Sequence, residues 1–325
     1  MEKLKKNILF FIIISIFIYF GLTLYADFDS VLESMTQIDV LILPVVFFLS
    51  LLNYITRFFK WHYYLRLLKI DVKFWDSFGI FMSGLAMSAT PGKLGELLKS
   101  YLVKDKVGTP VSKTAPIIFA ERLTDMISVI ALAIGGALFY KFGVNVVIIT
   151  GIFFLLIIIV ISNRKMSLYL IDLISKIGFI SKYVKQIREL YESAFILIRL
   201  PALIKMTLLS FVSWFFECYG YYLVLTGLGL DVSLFWSVFV YAFATIVGSI
   251  TMLPGGLGAT EGSITLLMVE NGISKDLAVI STFIIRVATL WFAILLGVIS
   301  LIWYQKKTGM NKIDANLDEI QKRKS

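Results

Sequence analysis

The sequence predicts an all-α protein that crosses a membrane several times. Of its 325 residues, 58% are hydrophobic and only 16% are charged, whereas a soluble domain is about half apolar and about a quarter charged. The mean hydropathy is +0.86, and several apolar runs reach the roughly 20 residues that cross a hydrocarbon core of about 30 Å. We therefore expect a single membrane domain over residues 1–305 and a polar cytoplasmic tail over 306–325.

Six apolar runs are long enough to be full transmembrane helices. The first follows Lys3, Lys5 and Lys6 and resembles a signal peptide, but its length and the later spans predict an uncleaved helix that starts inside the cell. Loop charges then place both termini in the cytoplasm of a multi-pass protein of the cell membrane. The runs lie near 8–25, 40–60, 114–140, 145–162, 203–228 and 277–304.

The charges between the runs predict which side each loop occupies. Segment 26–39 contains four acidic residues and no Lys or Arg, which suits the outside, whereas segment 57–73 contains five basic residues, which suits the inside. Segment 163–200 is also basic and has apolar residues at helical spacing from Tyr183 to Phe195. We expect an amphipathic cytoplasmic helix there, lying on the inner leaflet or simply connecting two halves.

Two halves of the chain carry the same motifs in the same order. Pro91 precedes Arg122 by 31 positions, and Pro254 precedes Arg286 by 32. An Asp-Val pair precedes the two prolines by 20 and 23 positions. Several matches in order at near-equal spacing predict an internal repeat. The two copies run over about 40–140 and 203–304.

The apolar segments 74–90 and 233–253 lead directly into these Pro-Gly motifs. If 74–90 crossed the membrane fully, the loop 91–113 with its five lysines would lie outside, against the positive-inside rule. We therefore predict that each segment enters the membrane, turns at Pro-Gly and returns to the same side. This gives six full spans plus two re-entrant helical hairpins in an inverted repeat, as in many transporters; the alternative is eight plain spans.

The Pro-Gly motifs are the first candidate for a binding site. Proline lacks an N–H and glycine tolerates unusual dihedral angles, so the motif ends a helix and permits a tight turn. Amides freed at the next helix start can bind an anion, which predicts a phosphate or headgroup site; the alternative is two interfacial loops packed through glycine. The candidate binding residues are Pro91, Gly92, Lys93, Gly95, Arg122, Pro254, Gly255, Gly256, Gly258 and Arg286.

Charged residues inside apolar spans are a second signal. Each costs roughly 2.5–3.5 kcal/mol at the bilayer centre, so it should face a polar interior. Arg122 and Arg286 suit a phosphate because a guanidinium donates two parallel hydrogen bonds; alternatively they only pair with Glu96 and Glu261. Arg57 is a candidate for the same cavity. The candidates for carrying a coupled proton or for ion pairing are Glu96, Glu121, Asp125, Glu217 and Glu261.

Other function classes have little support in the sequence. One cysteine, Cys218, and one histidine, His62, exclude an intrachain disulfide and a multi-histidine zinc site. We therefore expect no metal and no cofactor, and the lack of HExxH, GxSxG and Walker motifs favours a protein that is not an enzyme. The net charge of +9 lies mostly beside the spans, which predicts anionic lipid headgroups as partners and no nucleic acid.

The motifs resemble those of the lysylphosphatidylglycerol synthase membrane-domain family. The resemblance covers roughly residues 5–305 and is carried by residues 89–96 (ATPGKLGE), the pair Glu121-Arg122 and residues 253–262 (LPGGLGATEG). It implies movement of lipid between leaflets, of aminoacylated phosphatidylglycerol in some members and of polyprenyl-linked glycans in others. The sequence contains no soluble aminoacyltransferase domain, so we expect a stand-alone member without aminoacyl transfer.

Residues and resemblance together predict a flippase-like function. The expected substrate is an anionic phospholipid or a polyprenyl-phosphate-linked lipid, with its phosphate between the two Pro-Gly turns. One alternative is a lipid-binding or scaffold protein that does not transport and that serves a glycosyltransferase partner. Another is a secondary transporter of a small soluble anion. The sequence does not specify the lipid, the direction and energy source of transport, or the oligomeric state.

Overall fold

A computed structural model describes residues 17–18, 20–26, 28–36, 38–90, 95–140, 143–175 and 183–308. These residues form helices joined by short turns, and no β-strand occurs among them, which confirms the all-α membrane architecture. The helices are α1 (Phe28–Thr36), α2 (Leu43–Leu67), α3 (Phe74–Gly84), α4 (Leu98–Val107), α5 (Val111–Tyr140), α6 (Val144–Ser162), α7 (Arg164–Ser175), α8 (Val184–Leu197), α9 (Leu200–Gly227), α10 (Leu234–Ile250), α11 (Ala259–Glu270), α12 (Lys275–Arg286) and α13 (Phe292–Thr308).

Four of the described helical stretches are long and apolar enough to cross a membrane. They are Val40–Leu67, α6, α9 and the continuous stretch Lys275–Thr308, in which a π-helical segment joins α12 to α13. Helix α5 has 30 residues and is about 45 Å long, which also suffices to cross. The first predicted span, 8–25, lies mostly outside the described residues.

The first Pro-Gly segment forms a hairpin. Helix α3 has 11 residues and α4 has 10, so each is only about 15 Å long and too short to cross a core of about 30 Å. The Lys106 ammonium, in the last turn of α4, lies 3.1 Å from the Asp76 carboxylate in the first turn of α3. The chain therefore enters and leaves this hairpin at the same end.

The second Pro-Gly segment has the same organisation. Helices α10 and α11 pack against each other and are joined through the turn Pro254–Gly256. Helix α11 has 12 residues, about 18 Å, and is too short to cross alone. The two predicted repeats thus share one order of elements: a long helix, two short helices around a Pro-Gly turn, and a long helix.

The equivalent long helices of the two halves run antiparallel. The start of α2 meets the end of α9, where the Asp39 N–H donates to the Gly227 carbonyl at 2.9 Å. Further along α2, the Asn53 amide donates to the Ser213 carbonyl at 2.8 Å. Equivalent helices of opposite direction are what an inverted repeat requires, so this pairing supports the inversion, which stays a prediction.

The halves also exchange packing partners. The last long helix of the first half, α5, packs on α10, and the last helix of the second half, α13, packs on α3. Both crossings are made at glycine: a Cβ on Gly136 would lie 2.3 Å from the Phe239 Cβ, and one on Gly297 would lie 2.0 Å from the Ala86 nitrogen. Reciprocal contacts of this kind are typical of two units related by a two-fold axis.

The segment between the halves packs on protein. Helix α8 includes most of the predicted amphipathic stretch, but its buried residues Tyr191, Ala194 and Leu197 face the bundle, where α8 packs against α5. The Tyr191 hydroxyl donates to the Ile161 carbonyl at 3.2 Å. Part of the apolar face of this helix is therefore covered by protein, whereas Tyr183 and Leu190 of the same stretch stay exposed.

The predicted inversion can be tested by cysteine labelling in a Cys218→Ala background. The exposed residues Lys73 and Lys104 flank the first hairpin, and Asp231 and Asn271 flank the second. We expect single cysteines at the first two positions to react with an impermeant maleimide only after permeabilisation, and those at the last two to react in intact cells. Labelling of all four from one side would show that the repeat is not inverted.

Candidate functional site

The second Pro-Gly turn is held by one arginine and one glutamate. Gly255 has a positive φ of 62°, which a residue with a side chain rarely adopts. The Arg286 guanidinium donates from Nη2 to the Gly255 carbonyl at 2.6 Å and from Nε to Glu261 Oε1 at 2.6 Å. Glu261 Oε2 in turn accepts from the Gly258 N–H at 2.7 Å. This arrangement satisfies the backbone groups that the helix break releases.

The described residues around the first Pro-Gly motif make longer ionic contacts. Of its predicted binding residues, Pro91, Gly92 and Lys93 lie outside the described residues. The Gly95 N–H donates to the Thr90 hydroxyl at 2.9 Å. Arg122 Nη2 lies 3.4 Å from both Glu96 Oε2 and Asp125 Oδ2. The structure therefore forms both of the ion pairs considered from the sequence, with shorter distances in the second half.

The second turn lies against Ala89, which precedes the first Pro-Gly motif, inside the protein. A Cβ on Gly255 would lie 3.4 Å from the Ala89 Cα and 3.0 Å from the Leu290 side chain. Ala89, Leu257 and Leu290 belong to one small buried apolar cluster. The hairpin from each half thus ends at the contact between the halves.

A buried charge network lies beside the first turn, and the sequence placed part of it wrongly. Lys60 was counted with the basic cytoplasmic segment 57–73, but it is buried within α2, as is Arg57, and Lys99 is buried within α4. Lys60 Nζ makes a short contact with Asp125 Oδ1, and Lys99 Nζ lies 2.6 Å from Glu121 Oε2. Arg57 was already a candidate for the cavity, and because positions 53, 57 and 60 share one helix face, the same signal could have placed Lys60 inside as well.

A cavity of about 260 Å³ lies between the two halves. Arg57 and Asp125 lie near the midpoints of α2 and α5, so the cavity lies midway along these two long helices. Gly95, Glu96, Glu121, Gly258 and Glu261 support the surrounding network and do not line it. Of the predicted site residues, the cavity is lined by Arg122, Asp125, Glu217, Gly255, Gly256 and Arg286, and Arg57 lines it as well.

Arg57 is the cation that best faces this cavity. It is only 7% exposed, and its contact with a carboxylate is long, 3.9 Å from Nη2 to Glu96 Oε1. Its Nε makes no hydrogen bond to the part of the chain that the structure describes, and the same holds for the Nε of Arg122. Two guanidinium groups thus retain donor capacity at a buried polar cavity.

Aromatic hydroxyls complete the wall and were not predicted. The Tyr241 hydroxyl donates to Glu217 Oε2 at 2.8 Å. The Tyr54 hydroxyl donates to the Thr289 carbonyl at 2.5 Å. Thr289 belongs to the π-helical segment of the last span. Nothing in the sequence pattern separates these tyrosines from the many other aromatic residues in the spans.

The edge of the cavity is apolar and exposed. Leu253 and Phe154 line it together with Met252, whose side chain is 69% exposed. These residues lie between α6 and the end of α10, on a surface that faces lipid in a membrane. A polar interior therefore borders directly on the hydrocarbon.

We expect loss of the buried Arg286–Glu261 pair to destabilise the protein far more than loss of a surface ion pair. Arg286→Met leaves the fully buried Glu261 carboxylate without its guanidinium, and breaking a buried pair costs about 3–5 kcal/mol. We expect a clearly lower thermal unfolding midpoint in detergent, with part of the loss recovered in Arg286→Met/Glu261→Gln.

The matched control is the exposed pair of Arg188 and Asp172, 2.5 Å apart. Arg188→Gln should cost only about 0–1 kcal/mol, because exposed pairs are screened by solvent. An unfolding midpoint for Arg286→Met that equals that of Arg188→Gln would show that the buried pair does not hold the turn.

Comparison with known proteins agrees with this architecture. The family model for the lysylphosphatidylglycerol synthase transmembrane region matches residues 12–297. A UPF0104 membrane protein of Methanocaldococcus jannaschii is 27% identical over 65% of this chain and 91% of its own length. Those of Methanothermobacter thermautotrophicus and Pyrococcus horikoshii are 24% and 26% identical over 89% and 90% of this chain, and over 92% and 96% of their own. The chain is an integral membrane protein and belongs to the family of the lysylphosphatidylglycerol synthase transmembrane region.

Proposed function

We propose that this protein moves a lipid with an anionic phosphate headgroup between the two leaflets, without chemical conversion. The observation that carries the proposal is the cavity midway along α2 and α5 faced by the guanidinium groups of Arg57 and Arg122. The family to which the chain belongs supports a role that involves membrane lipids. In this proposal the protein lies in the cell membrane with both termini in the cytoplasm.

The size of the cavity favours a headgroup as its occupant. Its volume of about 260 Å³ corresponds to about nine water molecules at about 30 Å³ each. Pockets for larger organic ligands begin at about 300 Å³. A phosphate with a small substituent fits, whereas the hydrocarbon must stay outside, beyond the apolar edge formed by Met252 and Leu253.

The chemistry of the lining favours a phosphate over a neutral group. A guanidinium donates two parallel hydrogen bonds to a phosphate, and this pairing is strong where water is excluded. The carboxylates of Asp125 and Glu217 line the same cavity and oppose an anion, so they limit how tightly it is held. Lys60 and Arg122 hold Asp125 as a carboxylate, so Glu217 is the candidate to carry a proton with the lipid, which would couple transport to an ion gradient.

Reconstitution into vesicles tests the proposal directly. We expect wild-type protein to make a fluorescent phosphatidylglycerol or a fluorescent polyprenyl phosphate accessible to an impermeant quencher from both leaflets. A hydrogen bond to a charged group contributes about 1.5–3 kcal/mol, so Arg57→Gln and Arg122→Gln should each slow translocation by about 10-fold to 100-fold. Arg57→Lys should retain part of the rate because it keeps the charge.

The matched control is Lys104→Gln, which removes an exposed charge away from the cavity. It should translocate lipid at the wild-type rate. Wild-type rates in both Arg57→Gln and Arg122→Gln, or no translocation by the wild type, would contradict the proposal. Uptake of free phosphate without lipid translocation would instead identify a transporter of soluble anions.

A further inference from the structure

We propose that one hydrocarbon chain of the transported lipid lies in a specific apolar groove between α5, α6 and α9. The proposal rests on the proposed function, because the occupant is the chain of the same lipid whose phosphate binds in the polar cavity. The groove has a volume of about 560 Å³. We call it the chain groove; its wall includes Ile130 of α5, Gly151 and Ile158 of α6, and Ile204 and Leu208 of α9.

The chain groove and the polar cavity share a wall residue. Phe154 of α6 lines both. On α9 the groove residues lie between Leu203 and Leu208, whereas the cavity residues are Trp214 and Glu217. The centres of these two sets are about 15 Å apart along the helix. The two sites are therefore contiguous: they are displaced along α9 and lie side by side at similar heights on α5 and α6.

The surfaces of the groove suit a hydrocarbon chain. Leu155, Ile204 and Leu208 line it, and their side chains are more than half exposed, so in a membrane they are in contact with lipid. On α6 the wall extends from Gly151 to Ile158, about 10 Å along the helix. This length is about two-thirds of the thickness that one leaflet contributes to the hydrocarbon core.

One hydroxyl in the wall suits the ester or ether oxygen at the start of such a chain. Thr207 is the polar side chain among the lining residues, and Ser128 donates to its carbonyl at 2.9 Å. The Thr207 hydroxyl is buried and makes no hydrogen bond to any part of the chain that the structure describes. A buried hydroxyl without a partner costs free energy, and a lipid oxygen would supply the acceptor.

Gly151 provides a clean way to fill the groove. A Cβ at this position meets only the Ile130 Cγ2, at 3.8 Å, which is ordinary contact. Gly151→Leu therefore adds a side chain to the groove wall from a Cβ that fits, and Gly151→Ala is the matched control that adds a single methyl group. Both substitutions favour the helix relative to glycine.

The experiment compares two lipids with the same headgroup and different chains. Purified protein in nanodiscs of zwitterionic lipid would bind a fluorescent phosphatidylglycerol in competition with dioleoyl or with dihexanoyl phosphatidylglycerol. We expect Gly151→Leu to weaken dioleoyl binding by about tenfold, the effect of excluding roughly two methylene groups, and to leave dihexanoyl binding unchanged. Gly151→Ala should bind both lipids as the wild type does.

The other outcomes distinguish this inference from the proposed function. Arg57→Gln should weaken both lipids, because it acts on the shared headgroup. If neither Gly151→Leu nor Ile204→Trp on the facing wall changes dioleoyl binding, the chain groove does not hold the lipid. The proposed function would still stand. If Gly151→Leu weakens the binding of both lipids equally, the inference is also overturned. A changed oligomeric state of Gly151→Leu would overturn it too, because a second copy of the chain would then cover the groove. If the wild type binds neither lipid, the proposed function fails and the inference fails with it.

Discussion

The pairing of Arg286 with Glu261 is the interaction on which the rest of the structure depends. A helix broken at membrane depth releases backbone groups that lipid cannot satisfy. Here Arg286 donates to the carbonyl of Gly255, Glu261 accepts from the amide of Gly258, and the two side chains bind each other at 2.6 Å. One ion pair thus satisfies the backbone groups on both sides of the turn and neutralises its own charges. Because this turn also contacts Ala89 of the other hairpin, the same pair fixes the surface on which the halves meet.

The two halves have diverged around this common plan. In the second half the arginine is committed to short contacts with its own turn, whereas in the first half Arg122 lies 3.4 Å from each of its two carboxylates. Arg57 adds a second cation to the cavity. At the equivalent depth of α9, the charged residue is the acidic Glu217. The positive charge available to a ligand therefore comes from the first half, and the second half provides a fixed wall. Arg286, although it lines the cavity, is better described as a residue that positions the turn than as one that binds an anion.

Much of the architecture could be predicted because it follows from patterns that lie within the sequence itself. The apolar runs, the matched spacing from Pro91 to Arg122 and from Pro254 to Arg286, and the pairing of each arginine with a glutamate all follow from composition and local order. The errors came from charges that tertiary packing brings inside. Lys60 was counted with a cytoplasmic segment, since a lysine near the end of an apolar run is most often at the surface, and no partner was predicted for Lys99. Their partners Asp125 and Glu121 lie 65 and 22 positions away, and no local pattern connects them. For the same reason the sequence did not point to Tyr54 and Tyr241, whose hydroxyls donate hydrogen bonds to groups on other helices.

A transporter must release what it binds, and the composition of the cavity addresses both requirements. Two guanidinium groups with spare donors attract a phosphate strongly in a dry site. Conduction through a membrane requires binding that is favourable enough for entry and weak enough for exit. The carboxylates of Asp125 and Glu217 in the same lining supply the opposing term, since each repels an anion that the arginines hold. Tyr241 keeps the Glu217 carboxylate oriented through a hydrogen bond of 2.8 Å, so the repulsion has a fixed position. Under the proposed function, a cavity built only of cations would trap the headgroup, whereas this mixed lining would let a lipid leave towards either leaflet.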